Sequence, residues 1–186
     1  MSSIIFLLFL LGVVSANFKP EQEFEVKQTS LVNNGRGYTI TEVGPLAVKD
    51  DPARYTIQND LLSLGKKLLL LEKNQPLYEI KHKLGHLYQK WRITDARTGE
   101  TLGTLKHRPS LIHDSYKLTS PKFGNYRISG NISGRTFSVK KGGVKIAEIH
   151  KKRLHLHDTY SVAIAAKQDP TVILLLAIGI DEIRQH

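Results

Sequence analysis

Three short basic clusters recur along the chain, and their residue types are those that bind anions. Each holds at least two Lys or Arg within three positions, and two of them include a histidine. Ammonium and guanidinium groups at this spacing can hold phosphate or sulfate by charge-assisted hydrogen bonds. Alternatively, the clusters are solvated strand ends in which lysine protects strand edges from aggregation. The predicted anion-binding residues are Lys81, His82, Lys83, Lys106, His107, Arg108, Lys151, Lys152 and Arg153.

Two similar steps, His113-Asp114-Ser115 and His157-Asp158-Thr159, carry the residue types of a hydrolytic triad. Adjacent residues of a strand point to opposite faces, so one step cannot form the nucleophile, base and orienting carboxylate by itself. Asp, Ser and Thr also cap turns through hydrogen bonds from side chain to backbone. We therefore expect structural roles here and no enzymatic activity, with a hydrolase as the alternative.

Histidine pairs and one asparagine complete the candidate groups. His155 and His157 would share a strand face, but no third metal ligand accompanies them. His82 and His86 are four positions apart, a spacing that brings side chains together on a helix and not on a strand. We expect no metal and no cofactor. Asn131-Ile132-Ser133 is an acceptor sequence for N-linked glycosylation, which makes Asn131 a candidate modification site.

The chain as a whole is basic, with 27 Lys and Arg against 17 Asp and Glu and a net charge of +10. Such a surface favours anionic partners such as lipid headgroups, acidic polysaccharide or nucleic acid. The absence of cysteine excludes a catalytic thiol, a disulfide framework and a Cys-based zinc site. A length of 186 residues suits one domain, which we expect to be a monomer.

The first 16 residues differ from the rest in composition. Ile4–Val14 is apolar and uncharged, and Val14 and Ala16 fit the −3 and −1 positions of a signal-peptidase site. This run is too short to span a bilayer. The segment predicts a signal peptide cleaved after Ala16 and a chain in the secretory lumen or outside the cell, which disfavours nucleic acid as a partner.

The remainder divides into a polar segment and an alternating one. Residues 17–37 are polar, and they predict a flexible lead-in with at most a short strand at Phe24–Val26. From Tyr38 onwards, apolar and polar residues alternate in short runs separated by turn residues, as in Tyr55–Gln58 and Thr136–Val139. Strict alternation predicts strands with one buried face, so we expect the domain to occupy residues 38–186.

A weak internal repeat orders these strands. Each of three units contains a hairpin, a basic cluster and a step into the next strand, and the units begin near Leu68, Trp91 and Phe137. Strands at this spacing, without helices between them, predict an antiparallel sandwich or closed barrel. Equivalent places in such a barrel lie at similar heights, so the basic clusters would form one positive rim.

The end of the chain predicts a helix. Asp169 fits an N-cap and Pro170 the first helical position. Val172–Ile180 is apolar on every side, which indicates burial in protein or lipid. Nine residues rise only about 14 Å, roughly half of a bilayer core. We therefore predict a helix on the axis of the barrel, with a buried strand as the alternative.

Several stretches resemble the LURP-one-related proteins, which are grouped with the Tubby C-terminal domain and the phospholipid scramblases. The resemblance spans Arg54–Ile183. The matching stretches are Tyr55–Ile57, Leu61–Gly65, Leu77–Ile80, Tyr126–Gly130, Asp158–Ile164, Asp169 and Ile173–Ile183.

This resemblance implies a mainly β fold, a closed antiparallel barrel of about twelve strands around a hydrophobic C-terminal helix. It also implies a link to membrane lipid, since Tubby-type domains bind phosphoinositides and scramblases act on lipid movement. We expect a non-enzymatic binding module that engages anionic lipid headgroups or another polyanion at the membrane periphery. The alternative is a secreted structural or effector protein that binds a protein partner.

Overall fold

The computed structural model describes residues 18–31, 35–44, 47, 53–60, 63, 66–85, 89–108, 114–131, 134–153 and 158–184. Within these ranges the chain forms twelve β-strands followed by one α-helix. The elements are β1 Pro20–Leu31, β2 Gly35–Val43, β3 Tyr55–Asn59, β4 Lys67–Glu72, β5 Gln75–Lys83, β6 Lys90–Asp95, β7 Thr101–Arg108, β8 Ser115–Thr119, β9 Tyr126–Gly130, β10 Thr136–Lys141, β11 Val144–Arg153, β12 Asp158–Ala165 and α1 Pro170–Arg184.

The strands form a closed antiparallel barrel. Each strand pairs with its neighbours in sequence, and β1 pairs with both β2 and β12 to close the ring. Inward positions hold the alternating apolar residues that the sequence predicted, such as Ile57 on β3 and Val139 on β10, both fully buried. The predicted fold class is confirmed.

The N-terminal strand corrects the predicted domain boundary. We predicted a flexible lead-in for residues 17–37, but Pro20–Leu31 is β1 and Gly35 already belongs to β2. Phe24 and Val26 are fully buried, while Glu23 and Lys27 on either side of them are exposed. A strand with one solvated face has a composition close to that of a polar loop. Of the two partners of β1, β2 follows it directly, whereas β12 lies at the other end of the chain.

The predicted axial helix is confirmed, and so is its start. Asp169 Oδ1 accepts hydrogen bonds from the Thr171 backbone N–H at 2.9 Å and from the Thr171 hydroxyl at 2.6 Å, as an N-cap does. Every residue of α1 from Thr171 to Ile183 is buried. At Gly179 a Cβ would lie 3.0 Å from Ile80 and Leu105, so this glycine lets the helix approach the wall. Among the described residues, no helix has the length and hydropathy to cross a membrane.

The C-terminal end of α1 and the three basic clusters lie at the same end of the barrel, which we call the top. It is the end where the odd-numbered strands and α1 finish; the opposite end is the bottom. The three repeat units are the hairpins β4–β5, β6–β7 and β10–β11. The basic clusters lie at the last residues of β5, β7 and β11, so all three are at the same end of the barrel.

Candidate anion-binding surface

The strand pleat divides the three basic clusters into two groups. Opposed residues of paired strands face the same side, so neighbours along one strand point alternately inward and outward. His82, His107 and Lys151 lie on the inward side with core residues, and Arg153 has a side chain outside the described set. The outward members are Lys81, Lys83, Lys106, Arg108 and Lys152.

The two inward histidines pack against aromatic rings. The His82 ring lies 5.1 Å from the Trp91 ring, and the His107 ring stacks on Tyr116 at 4.9 Å. His107 Nε2 is also 3.4 Å from Asp114 Oδ1. Both histidines therefore line the top of the core, where they contribute packing.

The Lys151 side chain also contacts groups of the protein itself. Its Nζ lies 2.6 Å from Asp158 and 2.9 Å from Asp181, and 5.3 Å from the centre of the Tyr160 ring. Only 16% of its side chain is exposed. Lys151 thus neutralises carboxylates of the protein itself, and the outward cluster members are the ones that remain available to a ligand.

The last turn of α1 contains two buried carboxylates. We call Tyr38, Lys66, Lys151, Asp181 and Glu182 the helix-end cluster. The Tyr38 hydroxyl lies 3.0 Å from both Asp181 Oδ2 and Glu182 Oε1, and Lys66 forms an ion pair with Glu182. Carboxylates at a helix C-terminus face the negative end of its dipole and are costly to bury, so the two lysines offset both penalties.

Burial also changes the tyrosines beside this cluster. The pKa of the Tyr160 hydroxyl is raised well above its ordinary value by burial first and by the negative charge of Asp181 second. Burial likewise raises the pKa of Tyr116. Both hydroxyls therefore stay neutral, and the surroundings of Asp181 have a low dielectric constant, in which ion pairs are strong.

Strand register reveals a larger feature on the outer wall. Seven cationic side chains on seven successive strands, β5 to β11, lie directly opposite one another across every strand pair. The seven, which we call the cation stripe, are Lys83, Lys90, Lys106, Lys117, Arg127, Lys140 and Lys145.

The cation stripe runs diagonally across the barrel. Lys83 is the last residue of β5, at the top, whereas Lys145 is the second residue of β11, at the bottom. Strands lie about 4.8 Å apart, so six intervals make the stripe about 29 Å long. It is thus a band of positive charge that winds around the barrel from β5 to β11, across six of the twelve strand intervals of the ring, and the top rim contributes only one part of it.

The stripe is almost free of compensating charge. Within the described part of the chain, Lys145 is the one member with an ion pair, to Glu148. The pKa of Lys83 is lowered, by desolvation first and then by the positive charges of Arg92 and Lys90. Like charges directly opposite on paired strands destabilise a sheet by roughly 0.2–1 kcal/mol per pair. Seven in a row are therefore a cost to folding.

The wall across the barrel has the opposite charge. Residues 90–141, which hold β6 to β10, carry eleven Lys and Arg against three Asp and Glu. Residues 20–60, which hold β1 to β3, carry four against seven. In the ring order β1 lies six strands from β7 in either direction, so the two strands face each other across the axis. The barrel is electrically polarised across its width.

Comparison with known families agrees with this architecture. The family model described as LURP-one-related matches residues 22–181. The chain belongs to the LURP-one-related family. The match begins inside β1, so it includes the strand that we had placed outside the domain, and the fold is consistent with the Tubby-like superfamily. No curated protein and no solved structure matches the chain.

In this LURP-one-related chain, the described residues of the two His-Asp-Ser/Thr motifs make structural contacts. The Ser115 hydroxyl donates to the Arg108 carbonyl at 2.9 Å, and Asp114 lies 3.3 Å from Arg184 at the end of the helix. Asp158 pairs with Lys151, and Thr159 is buried. His86, His113, His155 and His157 lie outside the described residues. The described residues contain no group of three or more candidate ligands that could hold a metal ion.

The candidate glycosylation site lies in an exposed turn of the LURP-one-related barrel. Asn131 Oδ1 accepts hydrogen bonds from the backbone N–H groups of Arg135 and Thr136, at 3.0 and 3.2 Å. The side chain thus shapes the turn between β9 and β10. The residue itself is exposed, as a modified asparagine must be.

One cavity lies on the outer wall of the LURP-one-related barrel, away from the stripe. It has a volume of about 760 Å³ and is lined by residues of β2 to β4 and the turn that follows. Arg54 spans it, 2.7 Å from Glu42 and 3.5 Å from Glu72. Because one guanidinium already compensates both carboxylates, the cavity has less unpaired charge to offer than the stripe.

Proposed function

We propose that this protein is a non-enzymatic binding module that engages anionic phospholipid headgroups through the cation stripe. The observation that carries the proposal is the stripe's register, which places seven cations opposite one another at a cost to stability. A costly feature without a folding role points to a ligand, and a row of ammonium and guanidinium groups suits phosphate oxygens.

The nature of the wall supports a lipid surface over single-stranded nucleic acid. Proteins that bind single strands use aromatic side chains as stacking platforms beside their cations. The aromatic residues of β6 to β10 are Trp91, Tyr116, Tyr126 and Phe137, and all four are buried in the core. The stripe therefore offers charge without stacking surface.

Sedimentation with vesicles tests the proposal. We expect the protein to pellet with phosphatidylcholine vesicles that contain phosphatidylserine and to stay in solution with phosphatidylcholine alone. Binding should weaken as salt is added, because exposed charges are screened beyond about 10 Å at 0.1 M ionic strength. Equal pelleting with both vesicle types would contradict an electrostatic headgroup site.

Charge reversal at the centre of the stripe identifies the surface. Lys106→Glu with Lys117→Glu should abolish pelleting. The matched control is Lys19→Glu with Lys73→Glu, which makes the same change in net charge at exposed positions outside the stripe. An equal loss in both double variants would mean that total charge acts, and that the stripe has no special role. Retention on heparin, measured in parallel, shows whether a soluble polyanion competes for the same surface.

We also propose that the chain enters the secretory pathway through residues 1–16. The exposure of Asn131 is compatible with that route. Expression in a eukaryotic secretory system should give a mature chain that starts at Asn17 and carries one glycan that Asn131→Gln removes. An intact Met1 on the purified protein would contradict cleavage.

A further inference from the structure

The positive charge of the outer wall is densest on one quarter of the ring, at the top of β5 to β8. The three residues at the top end of each of these four strands include two that face outward, which makes eight outward positions. Seven of the eight hold lysine or arginine, and the eighth holds Ser115. The seven, which we call the upper patch, are Lys81, Lys83, Lys90, Arg92, Lys106, Arg108 and Lys117.

The upper patch is wider than the stripe that crosses it. Four of its members are the upper part of the cation stripe. Lys81 and Arg92 oppose each other in a second row across β5 and β6, and Arg108 adds a cation at the last residue of β7. Among the described residues, none of the seven forms an ion pair. Three strand intervals make the patch about 14 Å wide.

The remaining part of the stripe is a single row. The next outward residue beside Arg127 on β9, and beside Lys140 on β10, is a serine. Lys145 on β11 is already paired with Glu148. Because the stripe winds halfway around the ring, a flat surface that contacts β5 to β8 does not also contact β11. A planar anionic surface therefore meets only part of the stripe, and the upper patch is the part with the highest density of charge.

An exposed apolar side chain adjoins the upper patch. Leu84 is 68% exposed and directly follows Lys83, beyond the last residue pair of β5 and β6. Gly85 has a φ of +81°, so the chain turns sharply just after Leu84. Val144, the other exposed large hydrophobic residue of the described ranges, begins β11 at the bottom of the barrel, six strands from β5. Of the two, only Leu84 lies beside the patch.

We propose that the barrel meets an anionic membrane obliquely, top edge first, with the upper patch against the phospholipid headgroups and Leu84 inserted beneath them. This inference rests on the proposed function, and it adds the part of the stripe that binds, an orientation and an anchor. The patch and Leu84 lie at the top ends of neighbouring strands, so one tilt of the barrel axis brings them to the membrane together. A bilayer has an apolar layer just below its charged surface, which a soluble polyanion lacks.

Charge reversal in two parts of the wall tests which part binds. Lys81→Glu with Arg92→Glu lies in the upper patch but outside the stripe, whereas Arg127→Glu with Lys140→Glu lies in the stripe but outside the patch. Both double variants change the net charge equally. On vesicles that contain phosphatidylserine, we expect the first to weaken binding by about tenfold or more, since each cation near an anionic surface contributes about fivefold. The second should stay within about twofold of the wild type.

The absence of cysteine makes the orientation measurable. Leu84→Cys gives the protein a single thiol, which can carry an environment-sensitive dye such as nitrobenzoxadiazole. The controls are Val144→Cys, an exposed apolar position on the opposite wall, and Glu23→Cys, an exposed position on β1. With phosphatidylserine-containing vesicles, we expect a blue shift and brighter emission from the dye at position 84, and no change at positions 144 and 23.

The outcomes separate this inference from the proposed function. If the protein pellets but the dye at position 84 does not respond, or the dye at position 144 or 23 does, the oblique orientation is wrong and headgroup binding stands. Equal weakening by the two charge-reversal variants would likewise overturn the restriction to the upper patch and leave binding by the stripe intact. Failure of the unmodified protein to pellet would overturn headgroup binding and this inference together.

Discussion

The helix-end cluster and the cation stripe are two groups of charged residues that differ in burial and in pairing. In the cluster, Asp181 and Glu182 are buried and each is matched by a lysine and by the Tyr38 hydroxyl. In the stripe, like charges stand opposite one another at the surface, and a single member has a carboxylate partner within the described chain. In the helix-end cluster the charges are neutralised within the protein, whereas in the stripe they remain available to a ligand.

This difference shows why a count of basic residues predicts little about binding. Lys151 and Lys152 are neighbours in one cluster, but the pleat directs the first into the helix-end cluster and the second to solvent. The same composition thus supplies a residue needed for folding and a residue available for binding. Mutations that separate the two roles should move stability and binding independently.

The largest effect should come from breaking the helix-end cluster. Lys151→Met leaves the Asp181 carboxylate, with a side chain 2% exposed, without its ammonium partner. We expect the free energy of unfolding to fall by about 3 kcal/mol, the cost of removing one partner of a buried ion pair. Urea unfolding followed by circular dichroism measures it.

Two companion variants make that test specific. Lys152→Met removes an exposed cation one residue away and should change stability by less than about 0.5 kcal/mol. Adding Asp181→Asn to Lys151→Met should recover part of the loss, since no uncompensated charge then remains. Equal stabilities for Lys151→Met and Lys152→Met would show that the buried pair does not hold the helix end.

A charge reversal in the stripe should change the free energy of unfolding by an intermediate amount and in the opposite direction. Lys106→Glu turns two repulsive pairs, with Lys90 and Lys117, into attractive ones. We expect the free energy of unfolding to rise by about 1 kcal/mol, while binding to anionic vesicles falls. Lys19→Glu, outside the stripe, should change neither. A loss of stability in Lys106→Glu would contradict the view that repulsion among these cations destabilises the fold.

Local sequence patterns predicted those parts of the molecule that local interactions determine. The start of the helix was predictable because Asp169 and Pro170 act within one turn, and its burial because no polar face exists between Val172 and Ile180. Apolar alternation predicted most strands. It failed for β1, whose polar outward face resembles a loop and one of whose two partners, β12, lies at the other end of the chain.

The two charged regions lay beyond sequence analysis for different reasons. The stripe depends on the exact register of six strand pairs, and the helix-end cluster depends on contacts between residues that are distant in sequence. The stripe unites seven residues, and only Lys83 and Lys106 belonged to the predicted clusters. Alternation places Lys117 and Arg127 on an outer face, but only the register shows that they are opposed. Similarly, Asp181 and Glu182 directly follow the apolar run Val172–Ile180, and their burial becomes apparent only once Lys66 and Lys151 are placed beside them.

The smallest effect concerns Asp95, a partly exposed carboxylate at the end of β6 that backbone donors hold in place. Its Oδ1 accepts backbone N–H groups of Arg97 and Thr98 at 2.9 and 3.0 Å. These donors, Thr98 first, lower the pKa of Asp95 below its ordinary value. A carboxylate with a lowered folded pKa stabilises the protein above its unfolded pKa of about 3.9, and this contribution disappears as the pH falls through the folded value.

Asp95→Asn should therefore reduce stability at neutral pH by a small amount that vanishes in acid. Unfolding of the variant and the wild type, compared from neutral pH downwards, measures the difference. Glu100→Gln, which removes an exposed carboxylate from the same turn, is the matched control for the loss of one negative charge. If Asp95→Asn gave a difference that did not change with pH, the backbone donors would not be stabilising the ionised form. Asp95 would then be a surface charge that, like those of the stripe, does not stabilise the fold.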